Sequence, residues 1–159
     1  MQTSDPSMKN VSSITIVSKR GKGLAGNIFP QIIGEIVGQL KRPENASAGV
    51  HIAGPPMFIY IDGQTNPKSM AFEIGFPVAG QPKLDKEFEL RTLPATRVVS
   101  ITCMGSYKEL QKTTYNQLFG YAAQHQCTVN GSLREIYLNS PQDTPTDQLV
   151  TELQLPISG

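Results

Sequence analysis

The sequence predicts an α+β fold built as a tandem duplication of a β-α-β-β module, and three observations predict it. Strand-like and helix-like stretches follow one another in the order strand, helix, strand, strand, and the same order then recurs. "IYID" at Ile59–Asp62 matches "IYLN" at Ile136–Asn139, 77 positions on, and "EIGFPV" from Glu73 matches "ELQLPI" from Glu152, 79 positions on. Two separately placed motifs sharing nearly one offset mark a repeat. Third, Ile28, Ile32, Ile36 and Leu40 recur every fourth residue with Ile33 and Val37 beside them, which makes one apolar helix face. Each module keeps one sheet face for its helix. The expected architecture is a pseudo-twofold antiparallel sheet with two helices on one side and a ligand groove where the free faces combine.

Taken in order, residues 1–10 ("MQTSDPSMKN") read as a flexible tail, and a single domain is expected over 11–159. Module one, about 11–80, opens with the strand-like "VSSITIVS". The amphipathic helix follows, with Pro30 expected in its first turn, where a missing N–H is tolerated, and Pro43 ending it. "MFIYID", a polar turn "GQTNPKS" and "MAFEIGFPV" complete the module. A Gly-, Pro- and charge-rich linker is expected at about 79–88. Module two, about 89–158, has the β-branched "TRVVSITCM", then Ser106 and Glu109 in capping-box spacing, which starts a helix running through Leu110, Leu118 and Ala122 to about Gln126. The Asn130–Gly131 turn, "REIYLNSP" and "LVTELQLPI" follow.

With 14 Lys+Arg against 13 Asp+Glu the net charge is +1, so no strong field marks the chain for nucleic acid or an anionic membrane. Apolar runs are too short for a membrane span and no signal-peptide pattern opens the chain, so a cytoplasmic protein is expected. Cys103 and Cys127 lack metal-ligand spacing and read as reduced structural thiols. His51 and His125 share no element with a second ligand, so neither a metal nor a cofactor is expected. "GKGLAG" at Gly21–Gly26 matches G-x-G-x-x-G literally, but the β-α-β-β order around it is wrong for a dinucleotide site, and it reads as a strand-to-helix turn.

The carboxylates inside strands are more informative, because Glu is depleted there. Glu73, Glu135 and Glu152 interrupt otherwise apolar strands. Alternation puts Glu135 and Tyr137 on one strand face, and the repeat-matched face carries Phe58, Tyr60 and Asp62. A carboxylate among aromatic rings suits a flat or cationic organic molecule, through stacking, cation–π attraction and charge. The same group in such walls also suits general acid or base chemistry.

At "REIYLNSP…TELQLPI" and its echo "PPMFIYID…FEIGFPV" the sequence resembles the GyrI-like small-molecule-binding superfamily, the effector-binding domain of AraC- and MerR-type multidrug transcription regulators. The resemblance runs from about Val11 to Ile157 and implies an SHS2-type duplication with the Glu of the E-I/V-Y-L strand at the centre of the groove. It implies Glu135 and Tyr137 at that centre, Phe58 and Tyr60 on the opposite wall, Glu73 at a family-like position, and Tyr107 and Tyr115 as further ligand-binding aromatics. Too few residues precede Val11 for a helix-turn-helix, so the chain resembles stand-alone members and no direct nucleic-acid contact is expected. Three functions follow from the resemblance: a small-molecule sensor or sequestering module, a hydrolase of reactive cyclopropane-type compounds with Glu135 as general base, or an inhibitor of a partner enzyme such as DNA gyrase.

Overall fold

The computed structural model describes residues 1–22, 25–61 and 71–158. In chain order the elements are β1 (Gln2–Thr3), β2 (Ser7–Val11), β3 (Ile14–Lys22), α1 (Ala25–Leu40), α2 (Pro43–Ser47), β4 (His51–Ile52), β5 (Met57–Tyr60), β6 (Ala71–Ala79) and β7 (Glu89–Leu93). They continue with β8 (Thr96–Met104), α3 (Tyr107–Thr113), α4 (Tyr115–Gln124), β9 (Thr128–Val129), β10 (Arg134–Tyr137), a 3-10 turn over Thr146–Gln148 and β11 (Val150–Ser158). The chain divides into a first unit, Ser13–Pro94, and a second, Ala95–Gly159 together with Met1–Ser12.

In the first unit β7, β3, β6 and β5 form an antiparallel sheet in that order, with β4 also on β6. Register places Val17 opposite Phe76, Gly21 opposite Phe72 and Tyr60 opposite Phe72, so Val17, Gly21, Phe58, Tyr60, Phe72, Ile74 and Phe76 share a face with Lys19. Helix α1 packs on β3 and β6 and buries Ile32, Ile36 and Leu40, the predicted apolar stripe. It starts at Ala25, so Pro30 lies in its second turn rather than its first. Pro43 both stops α1 and opens α2, where its fixed φ and absent N–H suit the first helical turn. The polar turn at 63–69 lies outside the described residues.

The expected linker is not loose. Asn45, 1% exposed, accepts from the Lys83 backbone N–H at 2.7 Å and donates to the Lys83 and Gln39 carbonyls. Gln39 and Arg42 hold Asp85. Residues 89–93 then pair with β3 as β7, so the boundary falls near Pro94 instead of at about 88.

In the second unit β8 pairs with β11, which pairs with β10 and β9. The other edge of β8 takes β1 and β2, with Gln2 opposite Met104 and Met8 opposite Val99. The first ten residues are therefore mostly strand, a correction to the expected tail. Their polarity is that of an edge strand held by backbone hydrogen bonds, reinforced by Lys9 Nζ at 2.6 Å from Glu152 Oε2. The single helix expected from Ser106 is two segments. Ser106 caps it as predicted, its hydroxyl accepting from the Glu109 N–H at 3.3 Å, but Thr114 interrupts the run.

Among the described residues no helix is long and apolar enough to cross a membrane.

Candidate functional site

Strand β10 is short, and register on β11 and β8 decides which way its side chains point. Glu135 is opposite Leu153, which is opposite Ile101; Tyr137 is opposite Thr151, which is opposite Cys103. These six share one face, and Arg134, Ile136, Glu152, Gln154 and Ser100 occupy the other. Helices α3 and α4 lie on the Glu135 side, because Tyr115 of α4 reaches Glu135 and Tyr107 of α3 reaches Tyr137, so Glu135 and Tyr137 face the helices and not, as expected, a sheet face left free of them.

Glu135 is 5% exposed. Its Oε1 accepts from the Tyr137 hydroxyl at 2.8 Å, and its Oε2 accepts from the hydroxyl of Tyr115, the first residue of α4. Hydrogen bonds to a carboxylate are about twice as strong as neutral ones, so two phenols fix this group firmly. Tyr107, at the start of α3 and partly exposed, meets the Tyr137 ring edge-to-face with centroids 5.4 Å apart. Burial, and then the negative charge of Glu135, pushes the Tyr107 hydroxyl above its ordinary value. Beneath them the Cys103 thiol is pushed up to about 11, by burial first; Glu135 adds to the rise and a hydrogen bond with Thr114 opposes it. Four of the seven sequence-predicted residues, Glu135, Tyr137, Tyr115 and Tyr107, thus form one cluster in the second unit.

Phe58 and Tyr60 belong to the first unit. Phe58 stacks on Phe72 at 4.9 Å and meets Tyr60 edge-to-face at 4.8 Å, on the same sheet face as α1. Phe58 is 3% exposed and serves as core there.

Register decides which way Glu73 faces. Its β6 position pairs with Arg20 on β3, on the face away from Phe72 and α1. Arg91, which shares that face through β7, grips the carboxylate with Nε at 2.8 Å and with a second guanidinium N–H, and Ser18 donates at 2.5 Å. Glu73 is therefore ion-paired with Arg91. Glu152, its repeat match, likewise accepts from Lys9, Ser100 and Gln154.

Sequence reading missed Arg91 and Lys9, since only sheet register brings them to their acids. It also missed Cys103 and Thr114 below the tyrosines, although adjacent threonines inside a helix are a readable sign of a bend. For "GKGLAG", Gly21 has a packing explanation: a Cβ there would lie 2.4 Å from the Phe72 ring. Gly23 falls outside the described residues. Among the described residues no group of three or more His, Cys, Asp or Glu side chains is placed to hold a metal ion.

The comparisons with known proteins agree on the fold. No curated protein matches the chain. The C-terminal domain of EcmrR superposes with a TM-score of 0.86 at 20% identity, covering 99% of each chain. Against EcmrR in its complex with DNA the score is 0.83 at 20% identity, with 96% of this chain and 57% of that one covered, so this chain spans little more than half of the longer protein. A hydrolase from Listeria innocua gives 0.70 at 13% identity, covering 97% and 92%. SAV2435, solved bound to tetraphenylphosphonium, gives 0.59 at 18% identity, covering 98% and 95%. The family model for the GyrI-like small molecule binding domain matches residues 4–158, nearly the whole sequence, and the chain belongs to that family.

Proposed function

We propose that this chain is a cytoplasmic sensor or sequestering module that takes a lipophilic, aromatic or cationic small molecule at the tyrosine-held Glu135. The observation that carries this reading is the buried carboxylate whose two oxygens accept from Tyr115 and Tyr137, with Tyr107 beside them. Each oxygen already accepts one directed bond. A quaternary or delocalised cation asks for charge and ring faces rather than for lone pairs, so it suits this arrangement better than a primary ammonium does. The tetraphenylphosphonium-bound neighbour supports the same ligand class.

A second reading, hydrolysis of a reactive small molecule, draws on the Tyr137–Glu135 pair at 2.8 Å, a hydroxyl donor beside a general base. The hydrolase among the structural neighbours is compatible with it.

The test is calorimetric titration and thermal shift of wild type and Glu135→Gln with tetraphenylphosphonium, neutral aromatics and electrophilic cyclopropanes, with recovered compounds analysed by mass spectrometry. A binder is stabilised by the cation by mass action, loses that in Glu135→Gln and returns the compound intact. A water adduct formed by wild type alone moves the hydrolase reading to the front. No binding and no turnover overturns both and leaves inhibition of a partner enzyme as the function to pursue.

A further inference from the structure

The α3–α4 junction carries two adjacent threonines that both turn back on their own helix. Thr113 Oγ1 donates to the Glu109 carbonyl at 2.9 Å, and Thr114 Oγ1 donates to the Leu110 carbonyl. Threonine hydroxyls bonded to the carbonyl four residues back compete with the helical ladder and bend it. The ladder continues across the bend all the same, with Thr114 N–H on Leu110 O at 3.2 Å and Leu118 N–H on Thr114 O at 3.0 Å. The helix is thus interrupted at Thr114, whose φ is −104°, while these backbone bonds still span the break. Thr114 is fully buried. The next residue is Tyr115, whose hydroxyl ends on Glu135.

We infer that Thr114 is a positioning residue for the binding site: its hydroxyl bends the helix at the point that delivers Tyr115 to Glu135. A buried hydroxyl with no such task would be replaceable by an isosteric methyl. A straight helix, by contrast, would carry residue 115 in a different direction, and a hydrogen bond tolerates displacements of only a few tenths of an ångström before it weakens. This rests on the proposed role of Glu135 as the ligand's counter-charge, so its test needs one readout that involves ligand and one that does not.

The variants are Thr114→Val, which keeps shape and loses the hydroxyl, Thr114→Ser, which keeps the hydroxyl, and each combined with Tyr115→Phe. The probe is tetraphenylphosphonium. Thr114→Val is expected to weaken binding about tenfold, matching Tyr115→Phe, since a hydrogen bond to a charged group is worth roughly that factor. Thr114→Ser restores the affinity, and Thr114→Val has no further effect once Tyr115 is Phe. Independently of ligand, the ring-carbon NMR signal of Tyr115, assigned by its loss in Tyr115→Phe, should move in Thr114→Val and stay in Thr114→Ser. Additive losses, or an unmoved Tyr115 signal, overturn the inference. If wild type fails to bind the probe, the proposed ligand class falls, and the NMR comparison still decides whether Thr114 places Tyr115.

Discussion

Arg91→Met tests whether Glu73 is structural. Glu73 is 1% exposed, and Arg91 holds both of its oxygens while Ser18 adds a third donor. Removing one partner of a fully buried pair typically costs about 3–5 kcal/mol, because the other charge is left in the interior. Arg91 is 39% exposed, so water already screens the guanidinium, and the cost is discounted to about 2 kcal/mol. For a chain of this size that corresponds to a loss of about 4–8 °C in melting temperature. Urea unfolding of wild type, Arg91→Met, Glu73→Gln and the double variant forms a cycle. The double variant should recover at least half of the loss, since no unpaired charge then remains. Affinity for tetraphenylphosphonium should not change in any of the four. An Arg91→Met variant within about 0.5 kcal/mol of wild type, or a Glu73→Gln variant of full stability and tenfold weaker binding, would refute the reasoning and return Glu73 to the ligand site.

Glu152 offers a pH test. Burial raises its carboxyl, but hydrogen bonds from Lys9, Gln154 and Ser100 outweigh that and hold it below the ordinary 4.5. A depressed folded value stabilises the fold above the unfolded value and ceases to as pH falls through the folded one. The stability advantage of wild type over Glu152→Gln, measured in urea at neutral pH, should therefore shrink as pH drops below about 4.5. For Cys103, a rise from 9.0 to about 11 lowers the thiolate fraction at mildly alkaline pH about a hundredfold, so native alkylation should lag denatured alkylation by at least that factor. The sign also means that Cys103 costs stability as pH climbs from 9.0 toward 11, which titration of unfolding free energy against Cys103→Ala will read. Gly21→Ala drives a methyl into the fully buried Phe72 ring and should destabilise by about 1–3 kcal/mol, visible as a lower urea midpoint at unchanged slope.

What was legible in the sequence was what period and punctuation encode. The α1 stripe of Ile32, Ile36 and Leu40, the Ser106 cap and the repeated strand pairs follow from spacing alone, because a buried face must recur at the period of its element. The N-terminal strand was not legible. "SMKNV" has no apolar alternation, and it is a strand only because the edge of β8 supplies partners about 90 residues away. The fate of Glu73 was illegible for a related reason: Arg91 is an unremarked cation in the sequence until β3 sets β7 and β6 on its two sides.

The site itself was half legible, and the repeat explains which half. Positions 58 and 135 match across the duplication, as do Tyr60 and Tyr137, and in each unit the strand turns that pair toward the helix-bearing face. In the first unit the pair is Phe and Tyr, and the rings pack edge-to-face at 4.8 Å as core. In the second, Glu replaces Phe at the equivalent place, and the equivalent tyrosine becomes a hydrogen-bond donor at 2.8 Å. A core position can hold a carboxylate only if its oxygens find donors, which is why the second helix must also bring Tyr115 within reach. The sequence displays the substitution of Glu for Phe directly. It does not display the donor, because that depends on where α4 starts after the break at Thr114, and that break leaves the apolar period of Leu110, Leu118 and Ala122 intact.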